Sequence, residues 1–194
     1  MIDIKNMTMI ELASYVCSEL EKENIDVVLS GGSCVEIYSR GDYTSYDLDL
    51  INRYNDTFFK IKKAMEALGF KEEGKYFIHV DTKYFIEFPS GPLGVGDSDV
   101  KYIEKIVTKY GVLKLLTPTD CVKDRLAAYY HWNDNQSLTQ AIWVANKNDV
   151  DMEDLKQWSI KEKSLDKFLE FIKKLNKKKF GCLIFCYIFA ELIN

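Results

Sequence analysis

The chain has 194 residues, 47% apolar or aromatic and 29% charged, an ordinary composition for a soluble globular protein of one domain or two small ones. Its 26 Lys and Arg against 30 Asp and Glu leave a net charge of −4, which excludes a surface coated in basic charge for nonspecific nucleic-acid binding but not a local basic patch. Three prolines, ten glycines and no low-complexity run exclude disordered and collagen-like architectures.

Thr8-Met9-Ile10-Glu11 predicts a capping box, opening a helix that runs to about Glu23 with Ile10, Ala13, Tyr15, Val16 and Leu20 at helical spacing. Asp26 to Leu29 is a β-branched run ending in Ser30-Gly31-Gly32, a buried strand followed by a tight turn. Ser33 to Ser39 predicts a short helix, and Tyr46 to Ile51 alternates as a strand. Thr57 to Leu68 has helical spacing and stops at Gly69. Tyr76–Val80, Tyr84–Phe88 and Val112–Leu116 read as strands, with a hairpin turn over His79–Lys83; Ile103–Val107 is a further strand or the end of a loop. From Thr117-Pro118-Thr119-Asp120 the character turns helical, with helices over Cys121–Tyr130, Leu138–Ala145, Met152–Trp158 and Leu165–Leu175. Mixed elements up to residue 116 and helices after it predict a two-part α+β chain, residues 1–116 and 117–194.

Cys17, Cys34, Cys121, Cys182 and Cys186 are scattered, with no CxxC pair and no His at zinc spacing, the pattern of reduced buried thiols in a cytoplasmic protein. MIDIKNMTMIEL lacks the basic and apolar regions of a signal peptide. The tail GCLIFCYIFAELIN has 14 residues and contains Glu191; as a helix it would reach about 21 Å against about 30 Å of hydrocarbon, so no membrane partner is expected. Packing on the helical part or a subunit contact is the preferred role for this tail.

The chemistry concentrates between Leu29 and Leu50. The Gly31-Gly32-Ser33 turn leaves a strand and opens a helix, which exposes backbone N–H groups and a hydroxyl to an anion. Asp47 and Asp49 lie two apart on a strand and share one face, while Leu48 and Leu50 face the other way. Two carboxylates side by side repel unless a cation sits between them, and Mg²⁺ is held by one or two carboxylates plus substrate phosphates. Glu87 interrupts the otherwise apolar run Tyr84-Phe-Ile-Glu-Phe and is the leading third carboxylate, with Asp81, Asp97 and Asp99 as competitors in turns.

Gly32-Ser33, a 13-residue spacer and Asp47-Leu48-Asp49 resemble the signature of the nucleotidyltransferase superfamily typified by DNA polymerase β. The Gly-Gly-Ser form, with Arg40 and Ser45 ahead of Asp-x-Asp and Thr117-Pro118 opening the helices, looks most like the abortive-infection and toxin–antitoxin branch. The resemblance spans roughly residues 25–145. It implies a mixed β-sheet flanked by helices and followed by a helical part. By the same resemblance Asp47, Asp49 and Glu87 would hold two Mg²⁺ ions, and Gly31, Gly32 and Ser33 would contact the triphosphate. Arg40, Ser45, and Lys123 or Arg125 are further nucleotide-binding candidates. The implied activity moves an NMP from an NTP to an acceptor hydroxyl and releases pyrophosphate. The acceptor would be tRNA, another RNA or a protein, with a cognate antitoxin as partner. The alternatives are a non-catalytic nucleotide-binding or interaction protein on the same fold, and a small-molecule, aminoglycoside-type nucleotidyltransferase. His131, Trp132, Asp134 and Gln136 read as a polar helix-end turn, His79 as structural, and the basic run Lys173–Lys179 as a solvated helix end or an RNA-phosphate contact.

Overall fold

The capping signature at Thr8 opens the first helix of the computed structural model, which describes residues 2–54 and 57–179. Helix α1 spans Met9–Lys22; Glu11 N–H donates to the Thr8 hydroxyl at 3.3 Å and Thr8 N–H donates to the Glu11 carboxylate at 3.0 Å. Strand β1 (Val27–Ser30) is buried along its whole length, as a β-branched run between two layers must be. Helix α2 (Gly31–Ser39) follows without a break, then strand β2 (Asp47–Asn52), whose Leu48, Leu50 and Asn52 are buried while Asp47, Asp49 and Ile51 are half-buried. After helix α3 (Phe58–Ala67) come the short strands β3 (Lys71–Glu73), β4 (Tyr76–Ile78) and β5 (Phe85–Glu87), the pair β6 (Gly94–Val95) and β7 (Ser98–Asp99), and the longer β8 (Ile103–Thr108) and β9 (Gly111–Leu116). Helices α4 (Pro118–Trp132), α5 (Asn135–Lys147), α6 (Met152–Lys161) and α7 (Leu165–Lys179) close the described chain. Among the described residues no helix is long and apolar enough to cross a membrane.

Seven of the described strands form one mixed sheet in the order β3-β4-β5-β2-β1-β9-β8, and β6 and β7 pair separately. Strand β1 runs antiparallel to β2 and parallel to β9, and β2 runs parallel to β5. Central position explains the apolar character of β1 and of the inward residues of β2. Leu29, Leu48, Leu50 and Leu113 join Leu12 and Leu20 of α1 in one continuous core, each contributing roughly 1.5–3 kcal/mol of burial. Polar groups pin the layers together: Val112 N–H donates to Ser18 Oγ of α1 at 2.8 Å, and the Tyr38 hydroxyl of α2 donates to the Leu116 carbonyl at 2.7 Å. The architecture is the α+β class expected, a mixed sheet flanked by helices with a helical segment after it.

Three features depart from the sequence expectations. The strand run continues to Ser30 and α2 starts at Gly31, so both glycines belong to the helix's first turn rather than to a turn before it. Strand β3 carries only Lys71, Glu72 and Glu73, a charged trio with no apolar periodicity. It forms because it lies at the sheet edge and pairs only with β4, where charge costs little and discourages edge-to-edge association. The β6–β7 hairpin owes its place to distant partners. Trp158 Nε1 donates to the Val95 carbonyl at 3.2 Å, and Asp97 N–H donates to the Glu162 carboxylate at 2.8 Å. Ile103–Val107, expected as a strand or the end of a loop, belongs to the strand Ile103–Thr108, which pairs with β9 over six residues. The tail, with Cys182 and Cys186, lies outside the described residues; Cys17, Cys34 and Cys121 are buried free thiols, and burial pushes Cys17 up to about 12.

Candidate active site

The end of β1 and the start of β2 meet at one point. Antiparallel register sets Ser30 opposite Asp49, and parallel register on the other side of β2 sets Asp47 opposite Phe85 and Asp49 opposite Glu87. Paired residues share a face, so Asp47, Asp49 and Glu87 stand on the same side of two adjoining strands. Among the candidate third acids, Glu87 alone has this register; Asp81 lies in the β4–β5 turn, Asp97 in the β6–β7 turn and Asp99 in β7.

Asp49 packs against the first turn of α2. Gly31 has φ +62°, and a Cβ there would land inside the Asp49 carboxylate, so only glycine lets the helix start this close to the acid. Helix α2 has no side-chain cap, and its first-turn N–H groups lack intrahelical acceptors. Burial, and then the charge of Glu87, lift the Asp49 carboxyl to about 6; Arg125 works in the opposite direction, and Asp124 and Asp47 add further repulsion. A carboxyl raised by its carboxylate neighbours marks a site short of positive charge.

The serines near this point turn inward. Ser33 is fully buried and its hydroxyl donates to the Asp47 carbonyl, so the expected hydroxyl contact to an anion is not available. What Ser33 offers is its backbone N–H. Ser45 is also buried; its hydroxyl donates to the same carbonyl at 3.2 Å, and its N–H donates to Glu36 at 2.5 Å. Both serines therefore fix the backbone from which Asp47 projects. Helix α5 braces the same loop from its far side: Lys147 Nζ donates to the Ser39 carbonyl at 2.5 Å and pairs with Asp42 at 2.9 Å, and Asn148 Nδ2 donates to the Tyr38 carbonyl at 2.9 Å.

The basic candidates separate. Lys123 is 8% exposed and pairs with Asp120 at 3.3 Å and Asp154 at 2.5 Å, so its ammonium joins α4 to α6 and the expected phosphate contact is not formed. Arg40 ends α2 in the left-handed conformation, φ 50°, with its side chain exposed. Arg125 is the basic candidate close enough to Asp49 for their charges to act on each other. Its Nε and Nη2 donate to the Asp124 carboxylate at 3.0 and 2.5 Å. Burial weakens the Arg125 charge, but Asp124 beside it more than restores it. His131 and Asp134 are helix-end residues: Asp134 caps α5, accepting from Gln136 N–H at 2.9 Å, and His131 faces Glu162 at 3.2 Å. His79 accepts from Asp81 N–H at 3.1 Å in the β4–β5 turn.

Two residues near the acids went unnoticed in the sequence. Lys75, in the β3–β4 turn, pairs with Glu87 at 2.7 Å; only the hairpin register brings it there. Asp124 acts on Asp49 from α4, and its one sequence signal is adjacency to Arg125. The donor chemistry suits a hard divalent cation, since Asp47 and Asp49 are adjacent same-face carboxylates and Mg²⁺ needs only one or two with substrate phosphates. Among the described residues no three acidic, His or Cys side chains converge as a metal-holding group; Glu87 is turned to Lys75 instead.

No family model and no curated protein matches the chain. Among solved structures it is similar to the crystal structure of ANT(2'')-Ia in complex with adenylyl-2''-tobramycin, at 10% identity and TM-score 0.46, over 90% of this chain and 100% of that one. It is also similar to the solution structure of the antibiotic-resistance factor ANT(2'')-Ia, at 12% identity and TM-score 0.43, over 85% of this chain and 93% of that one.

Proposed function

We propose that the chain is a Mg²⁺-dependent nucleotidyltransferase that moves an NMP from an NTP to an acceptor hydroxyl. The observation that carries this reading is the register of Asp47, Asp49 and Glu87 on one face beside the uncapped start of α2. Backbone N–H groups of Gly31, Gly32 and Ser33 bind the phosphates, a role suited to a helix N-terminus. Gly32 keeps that approach narrow, since a Cβ there would stand 3.1 Å from Ser45 Oγ and 3.3 Å from the Tyr43 ring. Asp47 and Asp49 would hold Mg²⁺, which would supply Lewis-acid charge neutralisation for phosphoryl transfer. The acceptor oxygen bonds to the α-phosphorus as the bond to pyrophosphate breaks, and the hydroxyl proton leaves to solvent. Arg125, oriented by Asp124, supplies the fixed positive charge of the site. The resemblance of the Gly-Gly-Ser and Asp-x-Asp motifs to the toxin–antitoxin branch is the one support for an RNA or protein acceptor and an antitoxin partner; an aminoglycoside-type acceptor is the competing class.

A second reading, a nucleotide-binding protein without turnover, draws on Glu87 being held by Lys75 rather than converging with the aspartates. One experiment separates the two. The protein is incubated with each labelled NTP, Mg²⁺ and, in parallel, total RNA, a protein extract and an aminoglycoside. Label transfer lost in Asp47→Ala establishes the enzyme; nucleotide binding that needs Mg²⁺ but gives no transfer establishes the second reading. Absence of both refutes the nucleotide site altogether.

A further inference from the structure

Helix α5 lays one face along α2, and the contacts run in step. At its end Lys147 and Asn148 bond the Ser39 and Tyr38 carbonyls, where α2 finishes. One turn earlier the Trp143 ring meets the Tyr43 ring, 6.3 Å between centroids and tilted by 31°. Tyr43 in turn stands over the start of α2, since a Cβ on Gly32 would lie 3.3 Å from its hydroxyl. Ahead of α5, Asp134 is held below the usual carboxylate range by the Ser137 hydroxyl first and by the charge of Arg125 as well. Moving back along α5 therefore leads from the end of α2 to its uncapped start, and then toward Arg125. Gln140 lies on this face, three residues before Trp143 and seven before Lys147, the spacing of side chains stacked on one side of a helix.

Gln140 is 3% exposed, and among the described residues its Oε1 is buried with no hydrogen-bond partner. A buried carbonyl left unpaired is costly, and a site built to bind a polar ligand carries such a group until the ligand arrives. The lysine on the same face is already committed, to the Ser39 carbonyl and to Asp42. What remains beside the start of α2 is one unpaired carboxamide oxygen and two half-buried aromatic rings, Tyr43 and Trp143. A nucleobase needs these parts: apolar ring faces to lie against and a fixed polar group to read its edge.

The oxygen acceptor selects among bases, because it requires an N–H donor. Adenine offers its N6 amino donor beside the N7 acceptor, which matches the paired acceptor and donor of a glutamine amide. Guanine presents two acceptors on that edge, N7 and O6, and uracil presents O4. Cytosine has an amino group but only a single ring to lay against Tyr43 and Trp143. We infer that Gln140 sets the base preference of the donor nucleotide: with the triphosphate at the start of α2, a 6-aminopurine lies against Tyr43 and Trp143 and donates its amino hydrogen to Gln140 Oε1. The inference rests on the nucleotidyltransferase reading for the place of the phosphates, but base selection does not require turnover.

The test is calorimetric titration of the full chain with ATP, ITP and GTP, each with Mg²⁺ and without an acceptor. ITP carries the same phosphates as ATP and a carbonyl in place of the amino group. The wild type binds ATP about tenfold tighter than ITP or GTP, as one hydrogen bond at a buried acceptor provides, and Gln140→Met binds the three alike. A thermal melt without nucleotide shows Gln140→Met no less stable than the wild type, since an apolar side chain replaces an unpaired carbonyl. Equal affinities in the wild type, tighter binding of ITP or GTP, or a preference for ATP that survives Gln140→Met overturns the inference. So does a clear loss of stability in Gln140→Met, which would show that the oxygen has a partner inside the protein. Base-blind binding together with label transfer removes the inference and keeps the transferase reading. Gln140-dependent ATP binding with no transfer to any acceptor does the reverse, and binding of no NTP removes both.

Discussion

Asp49→Asn makes the protein more stable at neutral pH. In the wild type the Asp49 carboxyl titrates at about 6 rather than near 3.8, because burial and then Glu87 oppose its charge. A carboxyl whose folded value is raised adds stability that is fully present below the unfolded value and lost as pH rises through the folded one. The loss therefore accumulates between about pH 4 and pH 6 and is complete above that. Two units at about 1.4 kcal/mol each give about 3 kcal/mol, which Asp49→Asn recovers because an amide carries no charge. For a chain of this size that is about 6–12 °C in Tm. Thermal melts of both proteins at about pH 7.5 and about pH 4, in EDTA, read the effect: a wide gap at the higher pH and almost none at the lower. Excess Mg²⁺ narrows the gap at neutral pH by stabilising the wild type alone. A gap of equal size at both pH values, or a less stable variant at neutral pH, refutes the account of a cluster short of positive charge.

The glycine at the start of α2 and the lysine inside α4 give sharper contrasts. Gly31 and Gly74 have nearly the same φ, 62° and 61°, but a Cβ at Gly74 meets nothing within 4 Å. Gly74→Ala therefore measures the left-handed backbone cost alone, about 1–2 kcal/mol, whereas Gly31→Ala costs at least about 2 kcal/mol more by urea denaturation and abolishes nucleotide binding, since Asp49 must move. Lys123→Met leaves Asp120 and Asp154 without their cation and costs about 3 kcal/mol, while the folded variant binds nucleotide as the wild type does. Unchanged stability with lost nucleotide affinity would return Lys123 to the phosphates.

What the sequence reveals follows the range of the interactions. The Asp-x-Asp alternation, the Thr8 cap, the helix entry at Thr117-Pro118 and the apolar run of β1 are local patterns, and each element stands where its pattern points. Glu87 was legible as a charge in an apolar run, and the sheet places it opposite Asp49. Direction of side chains was not legible. Ser33 was expected to face an anion, yet the packing of α2 against the start of β2 draws its hydroxyl to the Asp47 carbonyl. Lys123 was grouped with Arg125 by neighbourhood, but two positions along a helix is about 200° of rotation, enough to send one to Asp154 and the other to the neighbourhood of Asp49. Lys75 and the β6–β7 hairpin depend on partners far along the chain, which no short pattern encodes.

The brace from α5 to the end of α2 also sets the order in which the protein can assemble. Lys147 and Asn148 reach back to Ser39 and Tyr38 across separations of 108 and 110 residues. Contacts of such separation form only after long loops have closed, and that entropy is met late in folding. The loop leading into Asp47 is held by them, so the acid pair takes its final position after the sheet and the helices have come together. During synthesis, a chain released only as far as β9 holds every carboxylate of the site and lacks the brace that aims the first of them.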